Sequence, residues 1–350
     1  MPAEKVTVDR FIELSGQYPV LDVRSPGEFK HARIPGAYSF PLFTDEERKV
    51  VGTAYKQQGR ETAIKIGLDY FGGKMRRMVE EAEGLTGENS KTVLVHCWRG
   101  GMRSAGVAWL LDLYGFKVFT LVGGYKSFRN WVLASFERPY NLRILGGYTG
   151  SGKTPLLHEL VAKEHRPVDL EDLAKHKGSA FGSFPETPQP SQEMFENLLA
   201  FDLRKKEDSP FIWLEDESQR IGLINLPMAF WNQMRSAPVY FLNIPFETRL
   251  EYIVKEYGKM KKDQVAAGII RIQKRLGGLE TKTAMNFLME GNTKDCFAIL
   301  LKYYDRFYIK GLNKRDHLET LLRDIPSDTV DPSLNAKRLL SIPELRLKAV

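Results

Sequence analysis

The chain has 350 residues, a mass of 40.0 kDa, 43% hydrophobic and 27% charged residues, which is more than one core comfortably holds and predicts two domains. The formal charge is +7, no apolar run approaches the length of a bilayer span, and the start MPAEKVTVDRF lacks an apolar signal segment, so a membrane or secreted protein is disfavoured. Two widely separated cysteines argue against a disulfide scaffold and fit a reducing, cytoplasmic setting.

In chain order, Tyr18–Val23, Thr92–His96 and Val118–Val122 read as buried strands with helical patterns between them. That alternation predicts an α/β domain over residues 1–138, with a mostly parallel sheet covered on both faces. Residues 43–90 are helical by composition, with breaks at Gly59 and Gly72–Gly73, and read as an insertion. Ser104–Leu113 and Tyr125–Ser135 are predicted helices, the second after a break at Gly123–Gly124.

A second α/β domain is expected over 139–322. Leu142–Leu145, Pro167–Leu170, Phe211–Leu214 and Pro238–Leu242 are its strand candidates. Pro155–Glu164 is a helix whose early proline lacks only a donor that is orphaned there anyway. Gly182–Pro190 reads as a surface loop, 246–322 as a helical and basic region, and 323–350 as a peripheral tail with little core. Between Arg249 and Glu319 there are 15 Lys or Arg against 9 Asp or Glu. This surplus fits a polyanion such as RNA, and equally a basic solvated surface.

Two loops carry chemistry. In HCWRGGMRS, Cys97 stands where a parallel strand ends, a usual place for ligand chemistry, and the chain re-enters a helix near Arg103–Ser104. Backbone N–H groups nested in such a turn, with the positive helix end, favour a thiolate, persulfide or selenopersulfide. Arg99 and Arg103 add positive charge, and Gly100 and Gly101 permit close backbone approach. Cys296, within TKDCFAILLKYY, reads as core.

In GYTGSGKT, Gly147, Thr149, Gly150, Ser151, Gly152, Lys153 and Thr154 form a phosphate loop. Its amides can surround a phosphate, Lys153 can reach a terminal oxygen, and Thr154 is a candidate Mg²⁺ ligand. Glu215, Asp216 and Glu217 in FIWLEDES are candidate acidic partners, with Asp169 and Asp172 as rivals. The stretch Asp169–Phe184, with His176 and Lys177, could cover a phosphate-bearing ligand or be an ordinary exposed connection. His158 and His165 read as structural or solvated, and no cysteine–histidine spacing supports zinc.

The N-terminal part resembles a rhodanese-like domain through LDVRSPGEF, RIPGA, HCWRGGMRSAGVAWLL and VFTLVGGY. That resemblance puts Cys97 in the sulfur-carrying slot. One departure weakens the case for generic thiosulfate chemistry: Arg33 stands where the domain usually has histidine before Ile-Pro-Gly-Ala, with His31 two residues earlier. With GTAYKQQGRETAIKIG, GGYTGSGKT and DLEDLAKHKGSAFG added, most of the chain resembles the tRNA 2-selenouridine synthase family, a rhodanese-like domain fused to a P-loop domain.

This resemblance implies a tRNA carrying 2-thiouridine at the wobble position as substrate. A geranyl group from geranyl diphosphate is placed on the 2-thio sulfur, and selenium from selenophosphate then replaces the geranylthio group. Cys97 would serve selenium transfer through a perselenide or related intermediate, and the phosphate loop would hold the diphosphate; nucleotide binding is the alternative. No tightly bound cofactor is expected beyond the candidate Mg²⁺. Expected partners are the tRNA and, transiently, a selenophosphate-producing enzyme, with no membrane or DNA. Lys74, Arg76 and Arg77 in the insertion are candidate RNA contacts. So are Lys255, Lys259, Lys261, Lys262, Arg271, Lys274 and Arg275, interleaved with Tyr252 and Tyr257. Phe181, Phe184 and Phe195 could line a prenyl pocket or be core. A thiosulfate sulfurtransferase leaves the phosphate loop idle, a small-molecule kinase leaves the insertion and basic region unexplained, and a non-catalytic RNA-binding module wastes Cys97.

Overall fold

The computed structural model describes residues 3–87, 90–176, 188–258 and 260–345. The chain forms two compact units, Met1–Ser135 with Glu196–Phe201, and Phe136–Phe195 with Asp202–Val350.

The first unit is built on five parallel strands: β1 (Glu4–Val6), β2 (Val20–Asp22), β3 (Tyr38–Ser39), β4 (Thr92–His96) and β5 (Lys117–Leu121), in the order β1-β5-β4-β2-β3. The β4 sequence TVLVH is buried from Val93 to His96, as expected of a central strand covered on both faces. The edge strands β1 and β3 escape the sequence reading because they are short and little of either is buried. Residues 43–90 contribute three helices, Asp45–Gln57, Arg60–Gly72 and Met75–Thr86. The first opens on a capping box between Thr44 and Glu47. Gly59 separates it from the second at φ +94°, a region costly for other residues. Phe71, Met78, Val79 and Ala82 from this segment join Val95, Cys97, Val107 and Leu111 in one core, so the inserted helices cover the sheet beneath the cysteine loop.

The second unit carries the parallel sheet β11-β10-β6-β7, made of β6 (Leu142–Gly147), β7 (Ile212–Glu215), β10 (Val239–Asn243) and β11 (Leu322–Pro326). A small antiparallel pair, β8 (Arg220–Ile221) and β9 (Ile224–Asn225), follows β7. Four helices, Phe246–Tyr257, Lys262–Leu276, Gly278–Glu290 and Thr293–Leu312, share a separate apolar core that includes Ile269, Leu288, Cys296 and Leu300. Cys296 is thus a core residue, its thiol pushed up to about 11 by burial.

Two expectations are corrected. Pro167–Leu170 is not a strand. Only Val168 bridges to Leu214, after which the Asp169 side chain accepts from the Asp172 backbone N–H and starts the Leu170–Ala174 helix. Residues 323–345 are not a peripheral tail with little core. Leu322–Pro326 pairs along the whole of β10, and the Pro332–Leu340 helix buries Ala336 and Leu339 with Leu345 against Leu156, Leu160 and Tyr240. Serine, aspartate and proline around 327–332 disguise that region as an extension; they are loop and cap residues, with Asp331 capping the helix.

Candidate functional site

Cys97 follows β4 directly and is 3% exposed. Its Sγ lies 3.3 Å from Ser104 Oγ, on the first turn of the Met102–Leu113 helix, and that hydroxyl also reaches Gly101 O at 3.0 Å. Burial alone would raise the thiol. The Ser104 hydroxyl, the backbone N–H groups of Ser104 and Arg99, and the Arg103 charge outweigh it and hold Cys97 below the ordinary thiol range. When the sulfur ionises, Ser104 can turn its proton onto it.

The two arginines differ. Arg99 is exposed and reaches Cys97 through its backbone. Arg103 pairs with Glu28 at 3.0 Å, and Glu28 also takes Arg48 at 2.9 Å. Arg33, which stands in place of the usual histidine, lies over the Phe29 ring.

What holds the loop comes from elsewhere in the first unit. Tyr125 N–H donates to Cys97 O at 2.8 Å and Lys126 N–H to Trp98 O at 3.0 Å. Gly124, at φ +62°, permits this: a Cβ there would meet Cys97 O and Gly100 N at 2.4 Å. Beneath lies a buried pair, Arg24 Nε to Asp22 Oδ1 at 2.9 Å, with the guanidinium 3.8 Å from the Tyr125 ring centre. His96, fully buried and 3.7 Å from Asp22, is pushed toward neutrality by burial. Gly123–Gly124, read as a chain break, is therefore a clamp on the cysteine loop.

The phosphate loop joins β6 to the Lys153–Val161 helix, with Gly150 at φ +80° and Gly152 at +72° as the helix N-cap. Lys153 Nζ donates to Gly147 O at 3.0 Å. Gly147 N–H donates to Tyr308 Oη at 3.1 Å, and Tyr308 donates to Asp216 Oδ2 at 2.8 Å. Arg315 holds the other Asp216 oxygen, so this carboxylate is committed to the scaffold. Arg249 donates to Thr149 O at 2.9 Å, pairs with Asp305 at 2.8 Å and lies over Tyr148. Tyr308, Arg315 and Arg249 belong to no motif; their only signal in the sequence is a position in the basic helical region.

Glu215 is set against Lys153 and Thr154 of the loop. It is 4% exposed and pushed up to about 7, first by burial and then by Glu171 and Asp169, against Lys153 and the Thr154 hydroxyl. Its Oε1 and the buried Ser151 Oγ have no hydrogen-bond partner among the described residues. Glu217 is also raised, by burial and the neighbouring carboxylates Glu171 and Glu215. Asp169 caps its helix and lies 3.3 Å from His158; Asp172 pairs with Lys175. His176 is lowered by burial and by Arg271. Among the described residues no group of three or more His, Cys, Asp or Glu could hold a metal ion.

Of the candidate RNA contacts, Lys74 pairs with Glu47 and Arg76 with Glu80 at 2.8 Å, while Arg77 is exposed. Lys255 is exposed at the end of the Phe246–Tyr257 helix, and Lys261, Lys262, Arg271, Lys274 and Arg275 are exposed on the Lys262–Leu276 helix or its N-cap. Phe195 is fully buried. Lys177, Phe181, Phe184 and Lys259, and most of the expected Gly182–Pro190 loop, lie outside the described residues. No described helix is long and apolar enough to cross a membrane.

The rhodanese-like domain family matches residues 7–130, and the family described as the tRNA 2-selenouridine synthase AAA domain matches residues 140–325. The chain is 36% identical to the tRNA 2-selenouridine synthase of Sulfurovum sp. (strain NBC37-1), over 83% of this chain and 87% of that one. It is 35% identical to that of Shewanella halifaxensis, over 85% and 90%, and 33% identical to that of Bdellovibrio bacteriovorus, over 87% and 91%. Matched in both units and along most of its length, the chain belongs to the tRNA 2-selenouridine synthase family, enzymes that form 2-selenouridine in tRNA.

Proposed function

We propose that the chain forms 2-selenouridine in two steps on one wobble base. First, the 2-thio sulfur attacks C1 of geranyl diphosphate; the C–S bond forms, the C–O bond breaks and diphosphate departs. Second, selenium from selenophosphate bonds to C2, the C2–S bond breaks and geranylthiol leaves, while water takes the phosphoryl group as phosphate. Alkylation makes C2 more electrophilic and turns a poor sulfur leaving group into a better one.

The observation that carries this reading is the pairing, in one chain of this family, of an acidified, nested thiol with a phosphate loop. Loop amides and Lys153, once it turns from Gly147 O, would stabilise charge on the departing diphosphate. The Thr154 hydroxyl and the orphaned Glu215 oxygen suit a hard cation that also takes phosphate oxygens. They would hold Mg²⁺, which would supply further positive charge to the leaving group. Cys97 acts in the second step, where the loop that lowers its thiol would also stabilise a selenium anion. The exposed basic residues around Lys262–Leu276 would hold the tRNA backbone.

The test supplies 2-thiouridine tRNA with geranyl diphosphate, then selenophosphate, and identifies the nucleosides by mass spectrometry. Lys153→Ala should lower geranylation at least about tenfold, in line with losing one charged transition-state donor. Cys97→Ala should stop at the S-geranyl nucleoside. Wild-type 2-selenouridine formation by Cys97→Ala would remove the cysteine from the reaction, and ATP turnover without any nucleoside change would favour a kinase.

A further inference from the structure

We infer that an apolar cleft between the Phe246–Tyr257 and Thr293–Leu312 helices binds the hydrocarbon tail of the prenyl diphosphate and sets its length. Ile253 and Tyr257 form one wall, and Phe297, Leu300, Leu301 and Tyr304 the other. The lining residue that ties the cleft to chemistry is Thr149, a member of the phosphate loop. This inference rests on the diphosphate reading of that loop.

Continuity between loop and cleft is direct. A Cβ on Gly150 would lie 2.8 Å from Ile253 Cγ1, so the loop backbone packs on the cleft wall. Arg249, one helical turn before Ile253, donates to Thr149 O; its ion-pair partner Asp305 directly follows Tyr304. Both walls are thereby tied to the loop, which fixes where a tail starts relative to its phosphates. The lining offers hydroxyls only from Thr149 and the two tyrosines, a poor match for the polar edges of a nucleotide base and a good one for an isoprenoid. The cleft has room for about 30 Å³, so wall side chains, first the half-buried Tyr257 and Tyr304 rings, would have to move before a ten-carbon tail entered. Aromatic faces there would also favour positive charge developing on an allylic carbon.

Calorimetry with geranyl diphosphate and with inorganic diphosphate separates tail from head. In the wild type the tail should tighten binding by about 100-fold, the effect of burying a few methylenes. Leu301→Phe, which fills the cleft, should remove most of that advantage while inorganic diphosphate binds as before, which also reports an intact loop. Tyr304→Ala, at a half-buried wall, should shift preference toward farnesyl diphosphate. A wild-type tail advantage that persists in both variants overturns the inference and leaves the loop reading standing. Lack of diphosphate binding by the wild type, or unchanged binding by Lys153→Ala, overturns the loop reading itself. Should a variant misfold, a wild-type experiment decides: a geranyl diphosphate carrying a diazirine at the tail end should crosslink to these two helices, and crosslinking elsewhere sinks the assignment.

Discussion

Cys97 and Glu215 are both buried and are driven in opposite directions by what surrounds them. Around Cys97 the donors outweigh desolvation, so the sulfur is prepared to carry negative charge. Around Glu215 desolvation and two neighbouring carboxylates outweigh Lys153 and Thr154, so without Mg²⁺ a proton is held to higher pH. An exposed glutamate titrates near 4.5 and Glu215 near 7, so between those values the folded chain holds a proton that the unfolded chain has released. Its contribution to stability is therefore fullest below about 4.5 and is lost as pH rises through about 7. The linked energy is of the order of 3 kcal/mol. Glu215→Gln should flatten the fall in thermal unfolding temperature across that window; an unchanged slope in pH-dependent unfolding would show that Glu215 titrates normally.

At the scale of elements, each loop is shaped by glycine and then held by a partner distant in sequence. Gly100, at φ +64°, packs so that a Cβ would lie 2.7 Å from Leu121 O, and Gly124 closes the same turn from the start of the Gly124–Ser135 helix. Gly124→Ala combines a left-handed φ with two backbone collisions at 2.4 Å, a strain of at least about 1–3 kcal/mol concentrated on the cysteine loop. It should reduce selenium incorporation at least about tenfold, the equivalent of 1.4 kcal/mol, while geranylation proceeds, as read by accumulation of the S-geranyl nucleoside. Equal loss of both steps, or of neither, would dissociate this clamp from the second reaction. The motifs were legible because their glycines and donors are contiguous in the chain. The clamp was not, because Gly123–Gly124 looks the same whether it merely ends a strand or braces a loop.

For the whole molecule, the basic surplus becomes more specific once ion pairs are drawn. Lys74 and Arg76 in the insertion face Glu47 and Glu80, whereas the Lys262–Leu276 helix presents exposed cations in succession. Exposed cations that reach phosphates govern counterion release on RNA binding. Lys255→Glu, Lys261→Glu, Arg271→Glu and Lys274→Glu combined should weaken tRNA binding by at least about tenfold and flatten its dependence on salt. The same affinity and slope as wild type, measured by filter binding, would place the RNA on another face.

The sequence alone determined the two α/β units and the course of both glycine-rich loops, since alternating strands and glycine turns are local patterns. Tertiary structure decided which residues complete them. Adjacent side chains at a strand end point to opposite sides, so FIWLEDES could not choose among Glu215, Asp216 and Glu217. Folding turns Asp216 onto Arg315 and Tyr308, and Glu215 toward Lys153 and Thr154. The strand β11 is likewise a product of long-range pairing: its partner, β10, lies almost eighty residues earlier, beyond the reach of any local pattern.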